Sequence, residues 1–284
     1  MGNSGDDAIL EAIVGELRQI DPFLPVTALS RRPKETRERF GVDSLHMFNV
    51  IGFHRLLKHT QLYLSGGGSL IQNVTSRRSL WYYLYTISQA KKCGNHVMMY
   101  GCGIGPIADK RDTARVRRVL NRSVDVITLR ESASLRELQR MGVTAPEMCV
   151  TSDPALTLPA ASADVVDAEL KKYGLAPGGS YICFAVRSWT GFNEKAGAFA
   201  AAADYAAEKL GLTPLFMLIN REEDGPPTDA VSSRMRTKAP VIDGARNSAL
   251  TIGLLARMRV VVSMRLHGLI FAASQGVPLV GVSY

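Results

Sequence analysis

An arginine and a histidine stand two residues apart near the end of the chain, in the run Arg265-Leu266-His267-Gly268. Three valines at 260–262 predict a buried strand immediately before this run, and an apolar helical pattern follows it. In open α/β sheets, ligands bind outside the carboxyl ends of the strands, where this pair falls. A guanidinium group offers a planar fork for a carboxylate or phosphate, and an imidazole exchanges protons near neutral pH. The pair therefore suggests proton transfer on an anionic substrate; a structural ion pair for Arg265 and a capping or buried role for His267 are the alternatives.

Two more arginines follow predicted strands. Arg130 comes directly after the strand expected at 124–129, and Arg187 comes directly after the strand expected at 181–186. Because the carboxyl ends of parallel strands share one edge of a sheet, three arginines in this place suit a substrate with more than one negative group. Each of them taken singly also fits a surface salt bridge.

A run of three glycines, Gly66, Gly67 and Gly68, follows the strand expected at 62–64. Such a loop either turns its backbone N–H groups toward an anion or simply makes a tight turn. It is neither the dinucleotide-binding fingerprint nor a Walker loop, because the required glycine spacing and the Gly-Lys-Ser/Thr ending are missing. Cys102 lies in the loop after the next strand, and we expect a small buried hydrophobe there rather than a nucleophile.

The first residues form a loop that opens a helix and contains Asn3, Asp6 and Asp7. Backbone N–H groups at a helix N-terminus attract anions, but the two aspartates would oppose a phosphate. We therefore expect these carboxylates to cap the helix or to accept hydrogen bonds from sugar hydroxyls.

Short apolar strands alternate with amphipathic helical segments along almost the whole chain, which favours parallel, doubly wound sheets. The predicted strands lie at 26–29, 47–50, 62–64, 97–100, 124–129, 148–151, 181–186, 215–219, 260–263 and 279–282. A linker-like change of composition at 157–163 divides the chain into an N-terminal domain, 1–158, and a C-terminal domain, 159–284. A cleft between two such domains is a common place for a ligand.

Composition excludes several classes of protein. Hydrophobic residues make up 46% and charged residues 21% of the chain, as in ordinary globular domains. The four cysteines are far apart, and no cysteine, histidine or carboxylate cluster has metal-ligand spacing, so we expect no metal. Without a signal peptide the thiols are expected to be reduced in a cytoplasmic protein, and no apolar run approaches the roughly 20 residues of a membrane span.

The net charge of the chain is +8, and several of its arginines are concentrated on one predicted helix. Arg111, Arg115, Arg118 and Arg122 fall on one narrow stripe of a predicted helix. The stripe is either a solvated surface or a contact with an anionic membrane surface or a diphosphate headgroup. Nucleic acid is a weaker expectation because no aromatic residues interleave with these arginines.

Taken together, these segments resemble the polysaccharide pyruvyl transferase family, and most closely its CsaB-type branch, which modifies secondary cell-wall polysaccharide. The matching segments span nearly the whole chain: 2–10, 65–70, 75–80 with 82–84, 103–106, 130–132, 152–155 and 264–267. The resemblance implies a GT-B-like fold, with two Rossmann-like domains facing a cleft. The family pattern also includes a strand before the first loop and helices after the last strand, so we expect a chain truncated at both ends.

The resemblance further implies a reaction. The enolpyruvyl group of phosphoenolpyruvate moves onto two hydroxyls of a sugar, which gives a pyruvate ketal and releases phosphate. The implied acceptor is an N-acetylmannosamine residue on a lipid-linked saccharide or polysaccharide of the kind that anchors an S-layer, at the cytoplasmic face of the inner membrane. No cofactor is expected, since phosphoenolpyruvate is the donor substrate. The oligomeric state is left open.

On this hypothesis His267 transfers a proton and Arg265 binds the substrate anion. The expected substrate-binding residues are Arg130, Arg187, Gly66, Gly67, Gly68, Asn3 and Asp6. A GT-B glycosyltransferase that uses a nucleotide sugar is the alternative enzyme, since fold does not fix function. A module that binds anions without turnover is the alternative that is not an enzyme.

Overall fold

The computed structural model describes residues 4–74, 76–244 and 247–283. Helices and strands alternate along this part of the chain, as the sequence pattern predicts. The helices are α1 (Ser4–Ile20), α2 (Pro33–Phe40), α3 (Val50–Leu57), α4 (Arg77–Lys92), α5 (Lys110–Ser123), α6 (Ser132–Arg140), α7 (Ala163–Lys172), α8 (Phe192–Leu210), α9 (Arg221–Ser232), α10 (Ser248–Leu255) and α11 (Leu266–Ser274). The strands are β1 (Thr27–Ser30), β2 (Asp43–His46), β3 (Leu62–Gly66), β4 (His96–Cys102), β5 (Val126–Leu129), β6 (Glu147–Val150), β7 (Tyr181–Ala185), β8 (Thr213–Leu218), β9 (Val241–Asp243), β10 (Met258–Ser263) and β11 (Leu279–Gly281).

The N-terminal unit, Ile9–Pro154, contains a parallel four-stranded sheet in the order β3-β4-β5-β6 and a small parallel pair, β1-β2. Its core is formed where α4 and α5 bury one face each together with the sheet residues Met99 and Ile127. Leu84 on α4 and Leu120 on α5 are almost fully buried in this cluster. Burying apolar surface in this way fixes both helices against the sheet. Because all its strands pair in parallel, their carboxyl ends share one edge.

The C-terminal unit comprises Ala155–Tyr284 and the described residues up to Ala8. Its parallel sheet has the order β9-β8-β7-β10-β11. Counted within the unit this is the order 3-2-1-4-5 of a doubly wound nucleotide-binding fold, and the order reverses between β7 and β10. Phe184 on β7 and Phe216 on β8 pack with the alanine-rich face of α8 in the core.

The division by contacts differs from the boundary predicted after residue 158. It falls between Pro154 and Ala155, and it assigns the start of α1 to the C-terminal unit. The physical reason is a close backbone contact: a methyl group on Gly5 would lie 2.2 Å from Nδ1 of His267. The sequence pattern cannot predict such a contact between the two ends of the chain.

The strand predicted at 47–50 is wrong. The observed strand, β2, ends at His46, and Val50 instead begins α3. Asn49 is the cause, because its side chain caps α3 by accepting a hydrogen bond from the backbone N–H of Gly52 at 2.9 Å. The short strand β9 is a second difference, since its three residues carry no clear apolar alternation. The other predicted strands overlap observed ones.

Within the described residues, no helix is both long and apolar enough to cross a lipid bilayer.

Candidate active site

The point where the strand order reverses carries two of the predicted arginines. Ser263 of β10 pairs with Ala185 of β7, and the N–H of Met264 donates to the carbonyl of Ala185 at 2.9 Å. Arg187 and Arg265 therefore each follow their paired strand residue by two positions, at the carboxyl edge of adjacent strands. In open α/β sheets this crevice is where ligands bind.

The turn from β10 into α11 is held by a single hydroxyl. Oγ of Ser263 donates to the carbonyl of Arg265 at 2.8 Å and accepts from the N–H of Arg265 at 3.0 Å. Gly268 allows this hydroxyl to lie close, since a methyl group there would be 2.6 Å from it. The local sequence thus fixes the direction in which Arg265 leaves the strand.

Arg265 is largely buried, and its guanidinium is paired with two acids at the start of α9. Its Nε donates to Oδ1 of Asp224 at 2.7 Å, and its Nη2 donates both to that oxygen and, at 2.8 Å, to Oε2 of Glu223. Asp224 is fully buried, and its other oxygen, Oδ2, accepts from the backbone N–H groups of Ile219 and Asn220 at 2.9 and 2.8 Å. Asp224 therefore connects the end of β8 to Arg265.

Burial alone would lower the pKa of Arg265. The hydrogen bonds and negative charges of Asp224 and Glu223 outweigh that effect and raise the pKa above its ordinary value. Arg265 therefore keeps its positive charge at every physiological pH.

Glu223 also approaches the second arginine. Nη2 of Arg187 lies 3.7 Å from the same oxygen, Oε2, that accepts the hydrogen bond from Arg265. The side chain of Glu223 is 53% exposed, whereas that of Arg265 is 9% exposed. The guanidinium of Arg187 also lies 5.9 Å from the centre of the Trp189 ring system. Two cations and two carboxylates thus form a compact cluster, and Glu223 is its most exposed member.

His267 is the second residue of α11 and is half-buried. Its imidazole packs against the backbone at Gly5 and lies 6.0 Å from the ring of Phe271. Among the aspartates beside Gly5, Asp7 is fully buried and Asp6 is exposed in the first turn of α1. The predicted site residue Asn3 lies outside the described residues.

A second set of predicted residues converges at the carboxyl edge of the N-terminal sheet. Arg130 follows β5, and its Nη1 donates to Oδ2 of Asp153 at 3.0 Å while its Nη2 donates to Oγ of Ser69 at 3.0 Å. The guanidinium lies over Gly103, where a methyl group would be 2.8 Å from Nη2. Nε of Arg130 is buried and has no hydrogen-bond partner among the described residues. The loops after four neighbouring strands therefore meet around one buried cation.

The three-glycine loop packs tightly against α1. A methyl group on Gly66 would lie 2.6 Å from Ile13, and one on Gly67 would lie 2.1 Å from Ile9. The N–H of Gly67 donates to the carbonyl of Tyr100 at 3.0 Å, and Gly67 and Gly68 both have φ of +71°. These contacts show that the glycines are needed for a close approach and a left-handed backbone.

Cys102 has the role expected of it, a small buried side chain. Burial raises the pKa of its thiol to about 12, although the charge of Arg130 opposes this. The thiol is therefore protonated near neutral pH, which makes it a poor nucleophile.

Sequence reasoning missed the acidic partners at both sets. Glu223 and Asp224 begin a helix directly after β8, and Asp153 follows β6. A signal existed, because acidic residues just past the carboxyl ends of strands neighbour the predicted arginines if the sheets are parallel. No group of three side chains suited to a metal ion occurs within the described ranges.

Solved structures share this fold at low sequence identity. The S. aureus MnaA structure with UDP matches with a TM-score of 0.66 and 11% identity, covering 100% of this chain and 78% of that one. HepE of Anabaena, in complex with UDP and glucose, matches with a TM-score of 0.62 and 12% identity, covering 99% and 78%. The UDP-GlcNAc 2-epimerase of Methanocaldococcus jannaschii matches with a TM-score of 0.64 and 10% identity, covering 96% and 79%. These likenesses confirm the GT-B-like fold.

No curated protein sequence matches the chain. The family model described as polysaccharide pyruvyl transferase matches residues 3–284, nearly the full length. The match includes every described residue of the two arginine clusters and of the His267 region. The chain belongs to the polysaccharide pyruvyl transferase family, a family of enzymes.

Proposed function

We propose that this enzyme transfers the enolpyruvyl group of phosphoenolpyruvate onto two hydroxyls of a saccharide, forming a pyruvate ketal and releasing phosphate. The observation that carries the proposal is the placement of Arg187 and Arg265 side by side at the reversal of strand order, with His267 on the helix that follows. This position is the usual ligand crevice of such a sheet.

The charge pattern suits this donor. Phosphoenolpyruvate carries a carboxylate and a phosphate, and both are recognised well by guanidinium groups. Asp224 is buried and holds Arg265 in place, whereas the exposed carboxylate of Glu223 occupies the side facing Arg187. The donor anion takes the place of Glu223, so that binding exchanges one anion for another between the two cations.

The reaction balances without any oxidant or cofactor. One sugar hydroxyl adds to C2 of the donor as C3 gains a proton and becomes a methyl group. Phosphate then leaves as a second hydroxyl bonds to the same carbon. Of the two hydroxyl protons, one accounts for the methyl group and one for the released phosphate. His267 is the residue to carry a proton between these groups, because imidazole does so near neutral pH.

The N-terminal unit has a candidate anion-binding group of its own. Arg130 is buried between Asp153 and Ser69, and its Nε is without a partner among the described residues. Such a group, held rigidly at the carboxyl edge of a sheet, is suited to a second anionic or hydroxyl-rich part of the substrates. The three-glycine loop, Asn3 and Asp6 complete the proposed binding residues.

The proposed acceptor is a cell-wall saccharide, lipid-linked or polymeric, with an N-acetylmannosamine residue as in the CsaB-type branch. The support is the resemblance of residues 75–80 and 82–84 to that branch. The exposed carboxylate of Asp6 is a suitable acceptor for sugar hydroxyls. We propose that the enzyme acts at the cytoplasmic face of the membrane, where such acceptors are assembled.

The test is product analysis with the full chain. Incubation with phosphoenolpyruvate and a lipid-linked saccharide ending in N-acetylmannosamine should give inorganic phosphate and, by NMR, the methyl singlet of a pyruvate ketal in equal amounts. A parallel incubation with UDP-sugars should release no UDP. Release of UDP with sugar transfer, and no ketal, would establish the glycosyltransferase alternative, and donor binding without turnover would establish the anion-binding module.

A further inference from the structure

The four arginines of the predicted stripe lie on one exposed face of α5, beside exposed aromatic side chains of α4. We call this surface the basic–aromatic face, and its members are Arg111, Arg115, Arg118, Arg122, Trp81 and Tyr85. Val116 and Leu120 on the opposite side of α5 are fully buried. The helix is therefore fixed by its apolar side, and its arginines are directed away from the core.

The aromatic and basic residues are in direct contact. The guanidinium of Arg115 lies 4.8 Å from the centre of the Trp81 ring system, and that of Arg77 lies 5.3 Å from it. Even so, Trp81 remains 43% exposed and Tyr85 remains 38% exposed. The indole N–H also donates to Oδ1 of Asp112 at 3.3 Å, so two cations and this hydrogen bond orient the ring while part of it stays open to solvent.

The two helices run in the same direction, so the rows of side chains lie alongside each other. Arg77 pairs with Asp112 at 2.8 Å near the beginnings of both helices, and Lys91 pairs with Asp125 at 2.5 Å just past the end of α5. The arginine stripe therefore follows α4 for its whole length.

Acids lie mainly at the two ends of this surface, where Asp109 pairs with Arg77 and Asp125 pairs with Lys91. The 14 residues of α5 include six cations and a single acid, Asp112, which is 1% exposed. Throughout the described part of the chain, Arg111, Arg118 and Arg122 have no ion-pair partner. Cations without partners beside partly exposed indole and phenol rings combine the two features of membrane-interface surfaces, attraction to anionic headgroups and amphipathic anchors.

Further apolar side chains extend the surface past α4. Phe48 is 63% exposed and Ile51 is 76% exposed, and the ring of Phe48 lies 6.1 Å from that of Tyr82 on α4. These exposed apolar side chains adjoin α4 and add to the apolar area beside the arginines.

We propose that the basic–aromatic face docks the enzyme on an anionic phospholipid bilayer. This partner fits by charge complementarity, because the arginines contact lipid phosphates while Trp81 and Tyr85 enter the headgroup layer. A nucleic acid is less suited, because α5 itself carries no aromatic side chain on which successive bases could stack between its arginines. The inference goes beyond the proposed reaction, since docking needs neither donor nor acceptor.

The test is sedimentation of the full chain with vesicles, without any substrate. Vesicles of phosphatidylglycerol and phosphatidylcholine should bind the protein, vesicles of phosphatidylcholine alone should not, and added salt should release it. The triple variant Arg111→Glu, Arg118→Glu, Arg122→Glu should lose at least about 100-fold in affinity, since each cation near an anionic membrane contributes a factor of about five.

The matched control reverses the same number of positive charges, three, on the C-terminal unit. Lys171→Glu, Lys195→Glu, Lys209→Glu alters three exposed lysines of α7 and α8 and should bind nearly as well as the wild type. An equal loss in both triple variants, or no wild-type binding to anionic vesicles, would overturn the proposal. So would tight binding of an oligonucleotide that depends on the same arginines in the absence of vesicle binding.

Folding and insertion are checked separately. The chain has two tryptophans, so Trp189→Phe leaves Trp81 as the single fluorophore. Its emission should shift to the blue when anionic vesicles are added, and no shift would refute insertion of the indole. Both triple variants should keep the wild-type thermal transition; if the arginine variant does not, the milder Arg118→Gln, Arg122→Gln pair should still lose at least about 20-fold.

Discussion

The two adjacent acids of α9 should respond to mutation in opposite ways, because they differ in burial. Asp224 is fully buried and holds Arg265 through Oδ1, while Glu223 is half exposed and contacts Arg187 and Arg265 through one oxygen. We therefore compare Asp224→Asn with Glu223→Gln, two substitutions that remove one charge and keep the shape of the side chain.

The expected loss of stability in Asp224→Asn is about 3–5 kcal/mol, because removing one partner of a buried ion pair leaves an uncompensated charge. A loss of this size lowers Tm by roughly 6–20 °C in a unit of this length. For Glu223→Gln the change in stability should stay within about 1 kcal/mol, since its side chain is 53% exposed and solvent screens the pair.

The affinity for anions should rise in Glu223→Gln. The donor must displace a carboxylate that accepts a charge-assisted hydrogen bond from Arg265 at 2.8 Å, and such bonds are worth about 1.5–3 kcal/mol. After discounting for exposure we expect inorganic phosphate and phosphoenolpyruvate to bind about tenfold more tightly, or about 1.4 kcal/mol. In Asp224→Asn the same anions should bind more weakly, because Arg265 is no longer held.

The assays are urea denaturation and isothermal titration calorimetry with inorganic phosphate and with phosphoenolpyruvate. Equal stability of the two variants would refute the assignment of Asp224 as the buried anchor. Weaker anion binding by Glu223→Gln would refute the idea that Glu223 and the donor compete for one place.

Two further predictions concern close packing and the thiols. Gly5→Ala should lower turnover at least about tenfold, because its methyl group would lie 2.2 Å from Nδ1 of His267. The control Gly15→Ala, whose methyl group meets nothing within 4 Å, should keep activity and gain up to about 1 kcal/mol of helix stability. Steady-state kinetics and thermal melting measure both effects, and equal activity of the two variants would contradict the contact between Gly5 and His267. With an aromatic disulfide reagent at neutral pH, the exposed thiol of Cys149 should react within minutes. The thiol of Cys102 should react only after unfolding, because it is buried and its pKa is raised to about 12. Fast labelling of Cys102, identified by peptide mass, would contradict its burial.

The sequence predicts the alternation of strands and helices well, because the apolar runs of buried parallel strands are a local signal. It also predicts that Arg130, Arg187 and Arg265 follow strand ends. What it does not give is the order of the strands in the sheet, which depends on packing between distant segments. The neighbouring positions of β7 and β10, and with them the pairing of Arg187 with Arg265 around Glu223, therefore emerge only from the fold.

The acidic partners of the arginines are not predicted either, because they too depend on contacts between distant segments. A carboxylate at the start of a helix is ordinarily explained by capping and by the helix dipole, and Asp224 does bond the backbone N–H groups before α9. Its second role depends on Arg265, 41 residues further along the chain, and local patterns carry no information at that separation. The prediction of a strand at 47–50 is wrong for a local reason, because the side chain of Asn49 caps α3 and favours a helix that begins at Val50.

In the proposed reaction, His267 transfers a proton during turnover of phosphoenolpyruvate at the Arg187–Arg265 site. The most direct measurement is the rate of phosphate release from phosphoenolpyruvate and acceptor by His267→Ala, with donor affinity measured in parallel and with His59→Ala, an exposed histidine of the N-terminal unit, as the control. We expect His267→Ala to bind the donor within about threefold of the wild type but to lose at least about 100-fold in kcat, while His59→Ala is unchanged. Wild-type turnover by His267→Ala would contradict a proton-transfer role for His267.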